Sequence, residues 1–218
     1  MISDHFPPLG VGLSTPRLRL RMPTDADLSA LADAALRGVH DPETMPFRHP
    51  WTDQGPERLG RAVIQHNWST MAAWTPEQWA FNAVVIFEGR VIGLQEMNAK
   101  DFAVTRRVGS GSWLTREYQG MGLGTEMRAA ILHLAFEGLG ALEAVTEAFD
   151  TSTASIGVSR RLGYRPNGID HLAVRGRRVR ELRYRLTRRD WEEHRTVPVE
   201  IEGLEPALPY FGVGELPE

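Results

Sequence analysis

Three glycines at alternate positions lie in the stretch REYQGMGLGTEM, residues 116–127. The preceding residues VGSGSWL fit a β-strand, and the following TEMRAAILHLAF carries apolar side chains at helical spacing. A glycine turn that leads from a strand into a helix lets the backbone approach an anion, and the free N–H groups of the first helical turn favour a phosphate. The stretch therefore predicts an α/β fold with a phosphate-binding turn at this junction.

The spacing of the motif tests which phosphate ligand it suits. A P-loop needs a lysine directly after its last glycine, whereas Gly124 is followed by Thr125 and Glu126. A dinucleotide fingerprint needs G-x-G-x-x-G, and its third glycine is replaced by Thr125 or by Met127 in the two possible frames. The pattern that is present is Q-x-x-G-x-G, which leaves the pyrophosphate of coenzyme A as the third ligand to consider.

Composition limits the class of protein. The 218 residues are 42% hydrophobic, which suits one domain with a sizeable core, here predicted to span 1-218. Cysteine is absent, the start of the chain does not resemble a secretory signal, and no apolar run approaches about 18 residues. We therefore expect a cytoplasmic protein without a membrane span. A net charge of -3 argues against a nucleic-acid partner, and no cluster has metal-ligand spacing.

The hydrophobic pattern predicts alternating strands and helices without a linker or repeat. LRLR at 18–21 is predicted as a strand, and Glu88-Gly89-Arg90 as the turn of a hairpin. Helices are predicted at 24–36, 57–71, 125–136 and 153–162, and further strands at 108–114, 141–149, 169–175 and 179–187. The extension 195-218 is predicted as a strand plus a loose end.

Several stretches together resemble the GNAT acyltransferase superfamily. Gln119 to Gly124 is similar to its (Q/R)-x-x-G-x-(G/A) motif, which holds the pyrophosphate of coenzyme A. TPRLRLR, GRVIGLQEM, GSWLTREYQGMGLGTEMRAAIL, ASIGVSRRLGYRPNG and YRLTRRDW resemble, in order, segments of the RimJ/RimL-like branch. The resemblance covers the core, residues 14-192, and leaves out the loop at 38–56 and the C-terminal extension.

The resemblance implies a GNAT fold, a mixed and mostly antiparallel splayed sheet flanked by helices. It also implies direct transfer of an acyl group from acyl-CoA to a primary amine of a protein N-terminus or a small molecule. Acetyl is the default acyl group, from acetyl-CoA, and succinyl-CoA is the alternative. A succinyl donor would need a cation, for which Arg48 and His49 are candidates. A homodimer is implied as well, with the extension as a possible interface.

The resemblance also assigns the residues that bind acyl-CoA. The strand before the turn would border the pantetheine, with N–H groups around Leu114 facing the acyl carbonyl, although alternation makes Trp113 a candidate for packing instead. The complete set is Trp113, Leu114, Thr115, Gln119, Gly120, Met121, Gly122, Leu123, Gly124, Thr125, Ser152 and Ser155.

The proton donor to the leaving thiolate is the first catalytic candidate. Many GNAT enzymes have a tyrosine where Ser159 stands, so the resemblance passes this role to Ser155, which matches the serine of an N-x-x-S motif. Ser152 replaces the asparagine of that motif. The alternative is that Ser155 only satisfies free N–H groups at the helix start. Tyr164 is predicted as an aromatic core residue.

The base that deprotonates the amine is the second candidate. Glu147 and Glu96 lie within predicted strands, where an acidic side chain needs a reason. Glu147 is the preferred base, directly or through a water, with pairing to an arginine as the alternative for both. The loop residues His40, Asp41 and His49 are weaker candidates for the acceptor pocket.

Two other classes of protein stay open from the sequence. The missing tyrosine and the altered asparagine allow a non-catalytic, regulatory module that binds coenzyme A. A nucleotide-binding protein is the other alternative, and the two failed fingerprints argue against it.

Overall fold

A computed structural model of the chain describes residues 1–214, which form one nine-stranded sheet with helices on both faces. The strands are β1 Gly12–Ser14, β2 Leu18–Arg21, β3 Gln78–Phe87, β4 Arg90–Lys100, β5 Arg107–Leu114, β6 Glu143–Phe149, β7 Arg165–Val174, β8 Arg177–Thr187 and β9 Glu200–Glu202. Their order across the sheet is β7-β8-β6-β5-β4-β3-β2-β1-β9.

The sheet divides between β5 and β6. Strand β5 pairs with β4 over the six residues Gly109 to Leu114, but with β6 only over Arg107, Val108 and Gly109. This short contact is the one parallel pairing among the described strands, and the others are antiparallel. Beyond Gly109 the two strands diverge, which produces the splayed, mostly antiparallel sheet that the resemblance implied.

The helices have local reasons to begin and end where they do. They are α1 Asp25–Leu36, α2 Pro56–Ala72, α3 Phe102–Thr105, α4 Leu123–His133, α5 Thr153–Arg161 and α6 Arg188–His194. Thr24 and Asp27 form a capping box at the start of α1, and Thr187 accepts from the N–H of Asp190 at the start of α6. Two hydrophobic clusters result, one between α1, α2 and the sheet and a larger one on the α4 side.

Most predicted elements are confirmed within a few residues. The hairpin turn lies at Glu88 and Gly89, both with positive φ, between β3 and β4. Three differences stand out. The α4 helix continues as a π-helical turn over Leu134–Gly138, strand β1 was missed, and the stretch RRDW, for which no helix was predicted, begins helix α6. The cap formed by Thr187 and Asp190 explains the last difference.

The C-terminal extension packs against the body of its own chain. Strand β9 pairs with β1, and the 3₁₀ helix Glu205–Phe211 places the fully buried Phe211 against Trp74 and Trp79. The indole N–H groups of both tryptophans donate to backbone carbonyls of this segment. The predicted strand is present as β9, whereas the part predicted as a loose end forms a 3₁₀ helix that packs against the larger hydrophobic cluster. Residues 215–218 of that predicted loose end lie outside the described residues. None of the helices within residues 1–214 combines the length and apolar character needed to cross a bilayer.

Candidate active site

A cavity of about 1310 Å³ runs along the gap between β5 and β6. It is bounded by the glycine turn, the starts of α4 and α5, strands β4 to β6, and the loop at 38–56. Its position follows from the sheet, because diverging strands leave backbone and side chains that no neighbouring strand covers. Ten of the predicted residues line it: Trp113, Leu114, Gln119, Gly120, Gly122, Gly124, Thr125, Glu147, Ser152 and Ser155.

The glycine turn leaves the start of α4 uncapped. Gly120 and Gly122 have φ values of 76° and 79°, a region that favours glycine, and Gly122 is the N-cap residue. No side chain within residues 1–214 caps this end, so the N–H groups of Leu123 and Gly124 and the positive end of the helix dipole stay available for an anion. The arrangement fits the pyrophosphate of a coenzyme A thioester.

The predicted turn residues do not all present their side chains to the cavity. Leu123 is fully buried in the core, Thr115 is buried, and the Met121 side chain is half-exposed outside the cavity. The Gln119 side-chain amide donates to the carbonyls of Val39 at 2.7 Å and Leu114 at 2.9 Å. Gln119 therefore holds the turn against the end of β5 and the loop.

A second clamp fixes the turn from the N-terminal side. Glu126 accepts hydrogen bonds from the Thr15 hydroxyl at 2.6 Å, the Arg17 backbone N–H at 3.0 Å and the Arg17 Nε at 2.7 Å. Arg17 in turn donates to the carbonyl of Met121 at 3.1 Å. The segment 15–17, just before β2, is thus tied both to the first turn of α4 and to the glycine turn.

The start of α5 faces the same gap. Ser152 is its N-cap residue and Ser155 lies in its first turn, and neither hydroxyl has a hydrogen-bond partner within the described part of the chain. Ser159 is fully buried and donates to the carbonyl of Ser155 at 3.1 Å, so it stays outside the cavity. Arg161 reaches from the end of α5 to the Thr125 hydroxyl at 3.1 Å. Arg161 therefore adds a cation at the mouth of the anion site.

The backbone of β5 also points into the gap. The Thr115 N–H donates to the carbonyl of Ile92 on the β4 side, at 2.9 Å. Since N–H groups alternate along an antiparallel strand, those of Ser112 and Leu114 point away from β4, beyond the last residue paired with β6. These two donors point toward the gap and are available to an extended ligand there. The role predicted for the N–H groups around Leu114 stays a prediction.

Arg128 spans the gap on the α4 side. Its guanidinium donates to the Thr146 hydroxyl on β6 at 3.3 Å and to the Ser112 hydroxyl on β5 at 3.1 Å. Only 4% of the residue is exposed, its Nε has no hydrogen-bond partner, and no carboxylate within residues 1–214 forms an ion pair with it. A buried cation without a counter-charge is costly, so Arg128 is a candidate for binding an anion.

Tyr164 lies behind Arg128. It is buried and outside the cavity lining, as expected of a core aromatic residue. Burial raises the pKa of its hydroxyl, and the neighbouring Arg128 and Ser110 offset part of this effect. Tyr164 therefore stays a neutral phenol at ordinary pH.

The two glutamates predicted as candidate bases lie on the face of the sheet opposite α4 and Arg128. Alternation places Glu96 on β4 and Glu147 on β6 on this face, and both line the cavity. Asn98 donates to Glu96 at 2.5 Å. Glu147 has 35% of its side chain exposed and lies 3.8 Å from the Arg48 guanidinium.

Arg48 ties the loop at 38–56 to β8. Its Nε donates to Glu181 at 2.6 Å and a second nitrogen binds the other carboxylate oxygen. Glu181 is 2% exposed, and its hydrogen bond raises the pKa of Arg48 above its ordinary value. Arg175, in the turn between β7 and β8, pairs with Asp53 of the same loop. Arg48 is thus committed to a buried carboxylate and is a poor candidate for binding an acyl group.

The other candidates from the loop line the cavity, but they differ in whether their side chains are already hydrogen-bonded. His40, Asp41 and His49 all border it. The two ring nitrogens of His40 contact the Asp41 carbonyl at 2.8 Å and the Thr52 hydroxyl at 2.6 Å. His40 is therefore occupied within the loop. Within residues 1–214, no three histidine, aspartate or glutamate side chains lie close enough together to hold a metal ion.

Sequence reasoning missed Arg128, Thr146 and the Arg48–Glu181 pair. Arg128 follows Met127, a residue of the apolar stripe of α4. This position next to the stripe was the only sequence signal that Arg128 could be buried. Glu181 sits among arginines in RGRRVRELRYRLTRR, where a lone acidic residue suggests exposure. Its burial depends on a loop about 130 residues earlier in the chain.

Comparison with protein families gives one match over most of the core. Residues 17–165 match the family model described as "Acetyltransferase (GNAT) domain". A segment of 73 residues is 36% identical to the dTTP/UTP pyrophosphatase of Thermomicrobium roseum, covering 33% of this chain. The match spans 31% of that relative, less than a third of its length.

Solved structures share the fold at low sequence identity. A "Probable acetyltransferase" superposes with a TM-score of 0.63 at 20% identity, covering 81% of this chain and 96% of that one. RimL, a ribosomal L7/L12 alpha-N-protein acetyltransferase in complex with coenzyme A, gives 0.64 at 19% identity, covering 79% and 95%. A GCN5-related N-acetyltransferase from Brucella melitensis gives 0.64 at 19% identity, covering 83% and 80%.

Proposed function

The chain belongs to the GNAT acetyltransferase family, and on that basis we propose that it transfers an acyl group from acyl-CoA to a primary amine. The transfer is direct, within a ternary complex, and the amine belongs to a protein N-terminus or a small molecule. The observation that carries the proposal is the gap between β5 and β6, where two free backbone N–H groups adjoin an uncapped helix start. That RimL acts on a ribosomal protein supports a protein N-terminus as acceptor.

The donor side follows from the positions of the residues. The first turn of α4 holds the pyrophosphate, and the N–H groups of Ser112 and Leu114 hold the pantetheine and the acyl carbonyl. Hydrogen bonds to that oxygen stabilise the negative charge that develops when the amine attacks. The Ser155 hydroxyl, which has no partner among residues 1–214, donates a hydrogen bond to the leaving thiolate and passes to it a proton that solvent replaces.

The acceptor side uses the acidic face. The amine must lose a proton before or as it attacks the thioester carbon. Glu147 lies at the edge of the gap, on the strand opposite β5, and takes this proton directly or through a water. The Arg48 guanidinium, 3.8 Å away, helps to orient the carboxylate.

The acyl group is acetyl by default, and one observation favours succinyl. Arg128 is a buried cation between the two strands, without a carboxylate partner within residues 1–214. The terminal carboxylate of a succinyl group would supply the missing anion, a role for which the sequence pointed to Arg48 and His49. The homodimer and the cytoplasmic location stay predictions.

Calorimetric titration with acetyl-CoA, succinyl-CoA and NADH tests the donor. Binding of either acyl-CoA but not of NADH is expected, and the reverse result overturns the proposal. Release of free thiol with a panel of amines then tests transfer. Binding without thiol release from any amine supports the non-catalytic alternative.

Two substitutions test the roles within the site. Glu147→Gln should lower kcat at neutral pH with little change in acyl-CoA affinity. Arg128→Met should weaken succinyl-CoA binding by about tenfold relative to acetyl-CoA. Arg161→Met is the matched control, because Arg161 lies at the mouth and should affect both donors equally.

A further inference from the structure

We propose that the acceptor amine is carried on a flat, aromatic body, which lies in a slot over Gly111 between an aromatic wall and two carboxylates. The inference rests on the proposed function, because it assigns the amine of that reaction. It concerns the face of the sheet opposite Arg128.

The aromatic wall consists of Trp113, Trp51 and Phe47. Trp113 projects from β5, and its ring centroid lies 5.6 Å from that of Trp51 at an interplanar angle of 48°. Phe47 continues the wall, 5.2 Å from Trp51 at 44°. All three are half-buried and line the cavity. Rings that are tilted against one another still offer a surface to a further aromatic group.

Gly111 is the floor of the slot. Side chains two residues apart share a face of a strand, so position 111 lies beside Trp113, roughly 7 Å along β5. A Cβ atom added at Gly111 would meet no other heavy atom of the described residues 1–214 within 4 Å. The space above this glycine is therefore open toward the cavity, next to the wall.

Carboxylates border the other side of the slot. The Cα atom of Gly111 pairs with that of Glu96 on β4, so the Glu96 side chain rises next to the open space. Glu147, on β6 across the gap, lines the same cavity. Arg48, the nearest cation, is engaged by Glu181. Lys100 and Arg107 also line the cavity, but each is four residues along its strand from the Glu96–Gly111 pair, roughly 13 Å away.

These features select a particular kind of amine. The carboxylates attract its ammonium group and hold it at the gap, where the acyl group arrives. The wall gains contact area only from a flat apolar body within two or three bonds of the nitrogen. Arylalkylamines and peptides with an aromatic N-terminal residue share this chemistry.

The test compares the kcat/KM values of matched amines at a saturating concentration of the acyl-CoA that the enzyme binds. We expect kcat/KM at least tenfold higher for phenethylamine than for n-butylamine, and likewise for a Phe-Ala-Ala peptide over Ala-Ala-Ala. A preference in the small amines alone identifies a small-molecule acceptor, and one in the peptides identifies a protein N-terminus. Equal values within both pairs overturn the inference.

Variants locate the preference in the slot. Gly111→Val fills the floor and Trp51→Leu removes part of the wall, so each should reduce the aromatic preference to less than threefold. Trp68→Leu, on the exposed face of α2, should leave it unchanged. Acyl-CoA affinity checks that each variant is folded. A preference that survives both slot variants contradicts the inference.

Failure of the proposed function has a different signature. If neither acyl-CoA binds, the proposed function is wrong and the slot has no reaction to serve. If an acyl-CoA binds but no amine reacts, calorimetry of phenethylamine and n-butylamine with the loaded protein decides. Tighter binding of phenethylamine supports the slot, and equal or absent binding overturns it.

Discussion

Replacing Glu126 by glutamine should loosen the turn that binds the pyrophosphate. The Glu126 carboxylate is 8% exposed and accepts three hydrogen bonds from Thr15 and Arg17. Glutamine keeps the shape but turns one acceptor oxygen into a donor, which then faces other donors. Arg17 would lose its ion pair and, with it, its fixed position at the Met121 carbonyl.

The magnitude follows from the burial of the two partners. A hydrogen bond to a buried charged group contributes about 1.5–3 kcal/mol, but Arg17 is 43% exposed, so its ion pair is partly screened by solvent. We expect a loss of about 2 kcal/mol in the free energy of unfolding. For a chain of this length that lowers Tm by about 4–8 °C. A looser turn should weaken coenzyme A binding by about fivefold, equivalent to about 1 kcal/mol.

Thermal unfolding followed by circular dichroism and calorimetric titration with coenzyme A measure the two effects. Glu202→Gln is the matched control, because Glu202 pairs with Arg19 at 2.9 Å while both side chains are more than half exposed. That change should shift stability by less than about 0.5 kcal/mol. If Glu126→Gln melts within about 1 °C of the unchanged protein and binds coenzyme A equally well, the clamp does not hold the turn.

Phe211→Ala should lower the free energy of unfolding by about 3–5 kcal/mol in urea, because a fully buried ring is removed; a loss below about 1 kcal/mol would contradict the packing of the extension. The pKa of Asp27 is lowered, since hydrogen bonds from Thr24 and Arg21 outweigh the effect of burial. The stabilisation that Asp27 provides is therefore present above about pH 4 and is lost as the pH falls through its folded-state pKa. When the urea midpoint of unfolding is plotted against pH, Asp27→Asn should make its decrease at acidic pH less steep. Burial raises the pKa of Tyr164, so its contribution is present below about pH 10 and lost above it; Tyr164→Phe should then be less sensitive to alkali, and an unchanged alkaline limb would argue against its burial.

The fold was predictable where the signal is local. Strands were indicated by alternating apolar residues, the hairpin by the Glu88-Gly89 turn and α4 by its apolar stripe. Each of these patterns depends only on residues that are close together in the sequence. Strand β1 has only three residues, and one of its partners, β9, lies almost the whole chain away, so no local pattern indicates it. Helix α6 depends on one cap, Thr187, that also ends a strand.

The candidate site was predictable in part for the same reason. The glycine turn is a short contiguous motif, so its position next to the gap followed from sequence. Arg128 acquires its role only because β5 and β6 separate in front of it, and that separation has no signature in either strand. The slot over Gly111 depends on a loop whose placement is set by Arg48 and its distant partner Glu181.

The pairing of β1 with β9 has a consequence for how the chain reaches its final state. Pairs so distant along the chain form slowly, because a long loop must close before any contact offsets its entropy. Until Phe211 arrives, Trp74 and Trp79 present apolar surface to water. During synthesis, this side of the core therefore stays open until residues 205–211 emerge, and chaperones have that interval in which to bind it.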